Sequence, residues 1–252
     1  KLKKYCKMKG ITYLCSAFDI PSLKFLYKQK INLFKIPSGE IINFPYLKVI
    51  GSFKKEVILS TGMSTILEIE RALKVLCKSG LSKKQITLLQ CNSDYPTKYS
   101  DVNLSAMLYL KKKFKVKVGL SDHTLGIEVP IAAAALGAKV IEKHFTLDRK
   151  FKGPDHKASL IPSELINMVN SIRNIEKALG SPKKIVTKSE LKTLKAARKS
   201  IVAIKNIKKN KIFDKNNIGI KRPGTGLSAK EFDHVIGKKA KKFFKINQLI
   251  KI

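Results

Sequence analysis

The segment from Val116 to Thr146 constrains the fold more than any other part of the chain. It opens on the apolar, β-branched run VKVGLSDHT, continues through IEVPIAAAALGA, and closes on AKVIEKHFT. The outer runs have the composition of buried parallel strands, and the Ala-rich middle reads as a helix ended by Gly137. The unit is therefore strand, helix, strand, with His123 and His144 at the two carboxyl ends. Parallel strands joined in this way lie side by side, and in an α/β barrel their carboxyl ends carry the chemistry. Two imidazoles placed there can share one divalent metal.

The same alternation runs through most of the chain. Strand-like segments fall at 11–16, 33–36, 56–60, 86–91, 116–120 and 139–144. Thr65-Ile66-Leu67-Glu68 reads as a capping box, in which the Thr hydroxyl and the Glu carboxylate satisfy free amides. Ile66, Ile69, Leu73 and Leu76 then share one face, and Gly80 ends that helix. A second helix follows Ser163 and is stopped by Gly180-Ser181-Pro182. Both a doubly wound sheet and a closed barrel produce this alternation. Polar residues follow almost every strand (Ser16, Ser38, Ser60, Asn92, Ser121, His144), which favours the barrel. Six strands are two short of eight, and the chain reads as a TIM (β/α)8-type α/β barrel lacking its first two strands. It begins with Lys1 in a helix-like stretch, which fits that expectation. The expected boundaries are a partial barrel over 1–180, a linker over 181–199 and a small β-rich domain over 200–252.

Composition narrows the function classes. Apolar residues make up 44% of 252, enough for a substantial core, and no run of eighteen apolar residues suggests a membrane span. Cys6, Cys15, Cys77 and Cys91 have no disulfide or zinc spacing, so reduced thiols in a cytoplasmic protein are expected. The net charge of +34 raises nucleic acid as a partner. Against it, the Lys-rich runs at 111–117, 205–211 and 238–245 are scattered and no RNA-binding or zinc-finger motif accompanies them. The charge fits an anionic substrate as well.

Several strand ends carry chemistry-bearing side chains. Lys35 and Ser38, with Gly39 beside them, suit a phosphate or carboxylate, and Glu40 suits a polyol or a proton transfer. Asn92 and Ser93 can bind an anion, and Tyr95 can pack on a sugar face; the same residues are also ordinary turn formers. Cys91 reads as a small buried hydrophobe rather than a nucleophile. Asp122 is placed to orient an imidazole. Glu142 shares a strand face with His144. His156 and Asp155 lie in the loop 153–157, His156 as a possible third ligand and Asp155 as a hydroxyl binder. His234 reads as structural.

The runs FKIPSGE, ILSTGMST, LQCNSDYPT, VGLSDHT, EKHFTLD, GPDHKASL and KRPGTG, in this order, resemble the sialic acid synthase family, which makes neuraminate, legionaminate and pseudaminate. The last fifty or so residues resemble its antifreeze-like (SAF) domain. The resemblance implies that phosphoenolpyruvate condenses with the aldehyde of an N-acetylated amino sugar, giving a nine-carbon 2-keto sugar acid and phosphate. A divalent ion, Mn2+ or Mg2+, would polarise the aldehyde. His123 and His144 would hold that ion. Lys35, Ser38, Ser121 and Ser16 would contact phosphoenolpyruvate, with Ser93 or its neighbour Asn92 in a further phosphate contact. Glu40, Tyr95 and Asp155 would face the sugar. Arg222 would reach the N-acyl group in the barrel of a second copy, as part of a domain-swapped homodimer. GPDHKASL is closer to the neuraminate and legionaminate branches. An acidic residue and a lysine of the family's first two strands have no counterpart here, so the chain alone is expected to be inactive or poorly folded. The rival readings are a 3-deoxy-octulosonate-type synthase, a basic RNA-binding protein and an inactive remnant.

Overall fold

A computed structural model describes residues 1–252, which divide into two compact units, Lys1–Gly180 and Ser181–Ile252. The first unit holds a five-stranded sheet: β1 (Leu33–Ile36), β2 (Glu56–Ser60), β3 (Ile86–Cys91), β4 (Lys117–Asp122) and β5 (Ile141–Lys143). Every pairing is parallel, and the spatial order follows the chain order from β1 to β5. A doubly wound sheet would reverse direction at a switch point; an unbroken sequential order is the arc of a barrel. The helices of this unit are α1 (Leu2–Met8), α2 (Ile20–Lys28), α3 (Phe44–Ser52), α4 (Ile66–Lys78), α5 (Ser105–Phe114), α6 (Glu128–Ala135) and α7 (Pro162–Leu179).

The arc continues by one rung at each edge. Ser16 forms a single parallel bridge to Lys35, and Phe145 forms one to Leu160. The strand expected over 11–16 thus shrinks to that one bridge; Ile11 is 64% exposed, while Tyr13 and Cys15 are half-buried against the core. The rung at Leu160 lies outside the six expected segments. It is nonetheless bonded on both sides, with the Leu160 amide donating to the His144 carbonyl and the Thr146 amide to the Leu160 carbonyl.

Strand parity divides the sheet into two chemistries. Phe34, Ile36, Val57, Leu59, Leu88 and Val118 join one core with Leu23, Tyr46, Leu47, Leu73, Leu76, Met107 and Leu110 of the surrounding helices. The alternate positions carry Lys35, Ser60, Cys91, Ser121 and Glu142, which lie on the other face. Gly119 is on that face too. A Cβ there would sit 2.2 Å from the Val140 carbonyl oxygen, so the close approach of β4 to the segment before β5 needs glycine.

Side-chain caps fix the helix starts that follow the strands. Asp19 accepts the Ser22 amide at 2.7 Å to open α2, and Asn43 accepts the Tyr46 amide at 3.2 Å to open α3. The capping box expected at Thr65 and Glu68 is present, and Ile69, Leu73 and Leu76 are buried on one side of α4. Its last helical residue is Lys78, with Gly80 at φ 122 beyond it. No helix is long and apolar enough to cross a membrane.

The second unit carries α8 (Glu190–Ala197), the antiparallel pair β6 (Ser200–Ala203) and β7 (Ile218–Lys221), and α9 (Phe232–Val235). Isolated bridges Val202 to Leu249, Ile207 to Phe244 and Ile212 to Lys239 close loops around its own core of Ile201, Ile207, Phe213, Ile218, Val235, Phe244 and Ile250.

Candidate active site

The carboxyl ends of β1 to β5 enclose a cavity of about 460 Å³. Its anionic-ligand side is built on β1 and the turns after β1 and β2. Lys35 points into it with a side chain only 7% exposed, and its Nζ lies 3.3 Å from Glu142 Oε1. The same carboxylate oxygen accepts the Ser121 hydroxyl at 2.7 Å, across the Ser121–Glu142 rung of the sheet. Ser38 opens a single 3₁₀ turn, and its Oγ accepts the Gly62 amide at 3.0 Å. Ser60 Oγ is buried and lines the cavity without any hydrogen-bond partner. A buried hydroxyl in that state costs free energy unless a ligand completes it. One cation and a set of hydroxyls therefore converge on a single space.

The opposite side is aromatic. His123 follows β4 and is buried, with Nδ1 2.6 Å from the carbonyl oxygen of Asn92. A carbonyl only accepts, so Nδ1 carries the hydrogen and Nε2 presents its lone pair. His144 follows β5, and the two imidazole centroids are 5.3 Å apart, edge to face. Burial, and after it the neighbouring His123, lowers the His144 pKa below the ordinary imidazole value, which favours a neutral ligand-competent ring. Asp155 Oδ2 lies 3.8 Å from His144 Nδ1. Tyr95 covers the pair, its ring 4.0 Å from His123 and 5.4 Å from His144. Burial raises the Tyr95 hydroxyl pKa, so the phenol stays protonated.

Comparison with known proteins gives the family of the chain. The NeuB family model matches residues 1–184, and the SAF domain model matches residues 198–252. The chain belongs to the NeuB family. An N,N'-diacetyllegionaminic acid synthase of Campylobacter jejuni is 50% identical over 247 residues, covering 98% of this chain and 74% of the relative. Human N-acetylneuraminate-9-phosphate synthase is 34% identical, covering 95% of this chain and 66% of the relative. The crystal structure of an N-acetylneuraminic acid synthetase from Leptospira borgpetersenii superposes with a TM-score of 0.71 at 38% identity, covering 77% of this chain and 67% of that one. As a NeuB member this chain is a synthase-type transferase.

Within this NeuB chain the cavity brings together Lys35, Ser38, Ser93, Tyr95, Ser121, His123 and His144 of the residues singled out by sequence. Glu142 and Cys91 also line it, and the remaining ones lie outside its lining. Ser16 is half-buried and bonded through its backbone to the Lys35 rung. Glu40 is not part of the cavity lining, and its carboxylate accepts the Asn43 side-chain amide at 2.7 Å. The Asn92 side chain accepts the Asp94 amide at 2.8 Å and donates to the Asp101 carbonyl at 3.2 Å. Its contribution to the site is the backbone carbonyl that orients His123. Cys91 is a buried wall of the cavity. Arg222, in the second unit, is exposed and donates through Nε to the Ala197 carbonyl at 3.0 Å.

Asp122 touches neither imidazole. It lies between Ser121 and His123, so strand alternation turns it to the opposite face, where it pairs with Lys143. His156 is likewise no member of the imidazole pair; its Nδ1 lies 2.8 Å from Thr146 Oγ1 and its ring abuts Phe151. His234 is exposed, with Nδ1 3.3 Å from Glu231 Oε2. Sequence reasoning missed Ser60 and Gly62 as parts of the site, assigning their segment to helix capping alone. The signal was available in the hydroxyl at the strand end followed by a glycine.

Proposed function

We propose that this site joins the methylene carbon of phosphoenolpyruvate to the aldehyde carbon of an open-chain N-acetylated amino sugar; water adds at the former enol carbon and phosphate leaves by C–O cleavage, giving a nine-carbon 2-keto sugar acid. The observation that carries the reading is the two-sided cavity, with a buried lysine and serine hydroxyls on one side and two imidazoles on the other. Phosphoenolpyruvate is an anion at both its carboxylate and its phosphate. Lys35 supplies a fixed cation, and Ser38, Ser60 and Ser93 supply hydroxyls that donate to those oxygens. Glu142 holds Lys35 and Ser121 in place before the anion arrives. Orienting the phosphoenolpyruvate methylene carbon toward the aldehyde is the main contribution asked of these side chains. Tyr95 offers a face for the sugar, and Asp155 beside it an acceptor for sugar hydroxyls.

The donor set fits a divalent ion. His123 Nε2 is free and its ring is oriented by a backbone carbonyl, the usual outer support of a metal-bound imidazole. No group of three or more His, Cys, Asp or Glu is spaced to hold a metal, so the protein would supply two imidazoles and leave positions for substrate oxygens and water. When bound, a Mn2+ or Mg2+ ion would supply Lewis-acid polarisation of the aldehyde oxygen. The higher identity to a legionaminic acid synthase favours a 2,4-diacetamido-trideoxymannose as acceptor over N-acetylmannosamine. Arg222 of the SAF domain would contact the N-acyl group in a second copy's barrel, within a homodimer.

The test follows phosphate release from phosphoenolpyruvate by the full-length protein with either sugar, with and without Mn2+, beside His123→Ala. Release that requires sugar and metal and is lost in the variant is expected. A folded, metal-binding protein that releases no phosphate with either sugar would refute the assignment.

A further inference from the structure

The hydrogen-bonded ladder between β4 and β5 runs through Leu120–Ile141, Ser121–Glu142 and Asp122–Lys143, and ends there. His123 and His144 occupy the next rung, one residue past the last pair, and their carbonyls accept the Thr97 and Leu160 amides at 3.0 and 2.9 Å. A charged contact on the reverse face of the sheet joins the two strand ends directly. Lys143 Nζ bonds Asp122 Oδ2 and also donates to the Thr124 carbonyl. Asp122 in turn accepts the Thr124 amide and the Thr124 hydroxyl, each at 3.0 Å. The two charged side chains are 3% and 1% exposed, and Thr124 is fully buried.

This network brackets both imidazoles. Residues 122 and 124 are locked on either side of His123, and the lysine that locks them is the residue preceding His144. A buried ion pair is a poor device for stability alone, since a well-packed apolar pair of similar volume does as well or better. It is a good device for geometry, because its partners and directions are fixed.

We infer that Asp122 and Lys143 are positioning residues that set the spacing and orientation of His123 and His144, and through them the affinity of the site for a divalent ion. The second half of this inference rests on the metal reading above. Neither side chain touches the cavity, so both act through the imidazoles they hold.

The experiment uses the full-length protein carrying Lys143→Met, Lys143→Arg, and the double change Asp122→Asn with Lys143→Met, which leaves no uncompensated buried charge if the single change fails to fold. Two readouts are taken on each folded protein. One is Mn2+ affinity from the free-ion paramagnetic resonance signal; the other is the pair of imidazole nitrogen–proton resonances assigned by His123→Ala and His144→Ala. The expected result is Mn2+ binding weakened roughly 10–100-fold in the methionine variants, partial recovery in Lys143→Arg, and displaced resonances for both unmutated histidines. Folded methionine variants with wild-type resonances and wild-type Mn2+ affinity would overturn the inference. Should the wild-type protein bind no Mn2+ in a His123-dependent way, the metal reading fails, and the imidazole resonances still decide whether the pair positions the rings.

Discussion

At the scale of single residues, the site depends on an amide as much as on side chains. Gly62 follows the strand-end Ser60 and sits against Ser38, Ser93 and Cys91. A Cβ added there would lie 2.4 Å from Ser93 Oγ, 2.9 Å from Ser38 Oγ and 3.3 Å from Cys91 Sγ. Its backbone has no unusual φ, so glycine is needed for room, not for conformational freedom. The nearest atoms are tips of serine side chains that can rotate away. Gly62→Ala is therefore expected to keep the fold and displace the hydroxyls that bind the anion. Losing one or two such hydrogen bonds costs about 1.5–3 kcal/mol, which corresponds to a roughly 10–100-fold higher KM for phosphoenolpyruvate. Steady-state kinetics beside a thermal melt decide it; unchanged kinetics would remove Gly62 and Ser38 from the binding account.

At the scale of elements, three strands were legible to the residue. β1, β2 and β3 coincide with the segments read from apolar β-branched runs, because both faces of an inner parallel strand are covered and the hydrophobic run ends where the strand does. The imidazole pair was legible for the same reason, since each His marks a strand end. Legibility stopped where cross-strand register decides the outcome. The Lys35–Glu142 and Ser121–Glu142 contacts join residues from distant segments, and only the register brings them together. Asp122 shows the converse: adjacent in sequence to His123, it faces the other way. Helix starts depend on local bonds and so were legible at α4. Thr65→Ala should lower the thermal midpoint of the protein by roughly 2–4 °C at neutral pH. Bonds from the Thr65 amide and then its hydroxyl hold the Glu68 carboxyl below its ordinary value. A depressed carboxyl stabilises the fold above its unfolded pKa, and that contribution fades as pH falls through the folded one. The gap between wild type and Thr65→Ala should accordingly narrow in acid below about pH 4. A gap that stayed constant down to pH 2 would show that the bond between the Thr65 hydroxyl and Glu68 contributes nothing, since the Thr65 amide keeps its bond to Glu68 in both proteins.

At the scale of the whole molecule, the net charge of +34 should act unequally on the two substrates proposed above. Phosphoenolpyruvate carries several negative charges near neutral pH, whereas the N-acetylated sugar proposed as acceptor carries none. A surface of one sign concentrates an anion around the molecule and guides it toward Lys35 at the cavity, but leaves a neutral sugar untouched. Salt shortens the reach of that field, from about 30 Å at 0.01 M to about 8 Å at 0.15 M ionic strength. Raising sodium chloride over that range should therefore lower kcat/KM for phosphoenolpyruvate severalfold through KM, with kcat little changed. The KM for the amino sugar, measured at saturating phosphoenolpyruvate in the same buffers, should stay level. The comparison separates steering from general salt inhibition, which would move both constants together. If the phosphoenolpyruvate constant stays level as well, Lys35 and its hydroxyl neighbours bind the anion only at contact range, and the excess of lysine over the rest of the surface plays no part in capturing it.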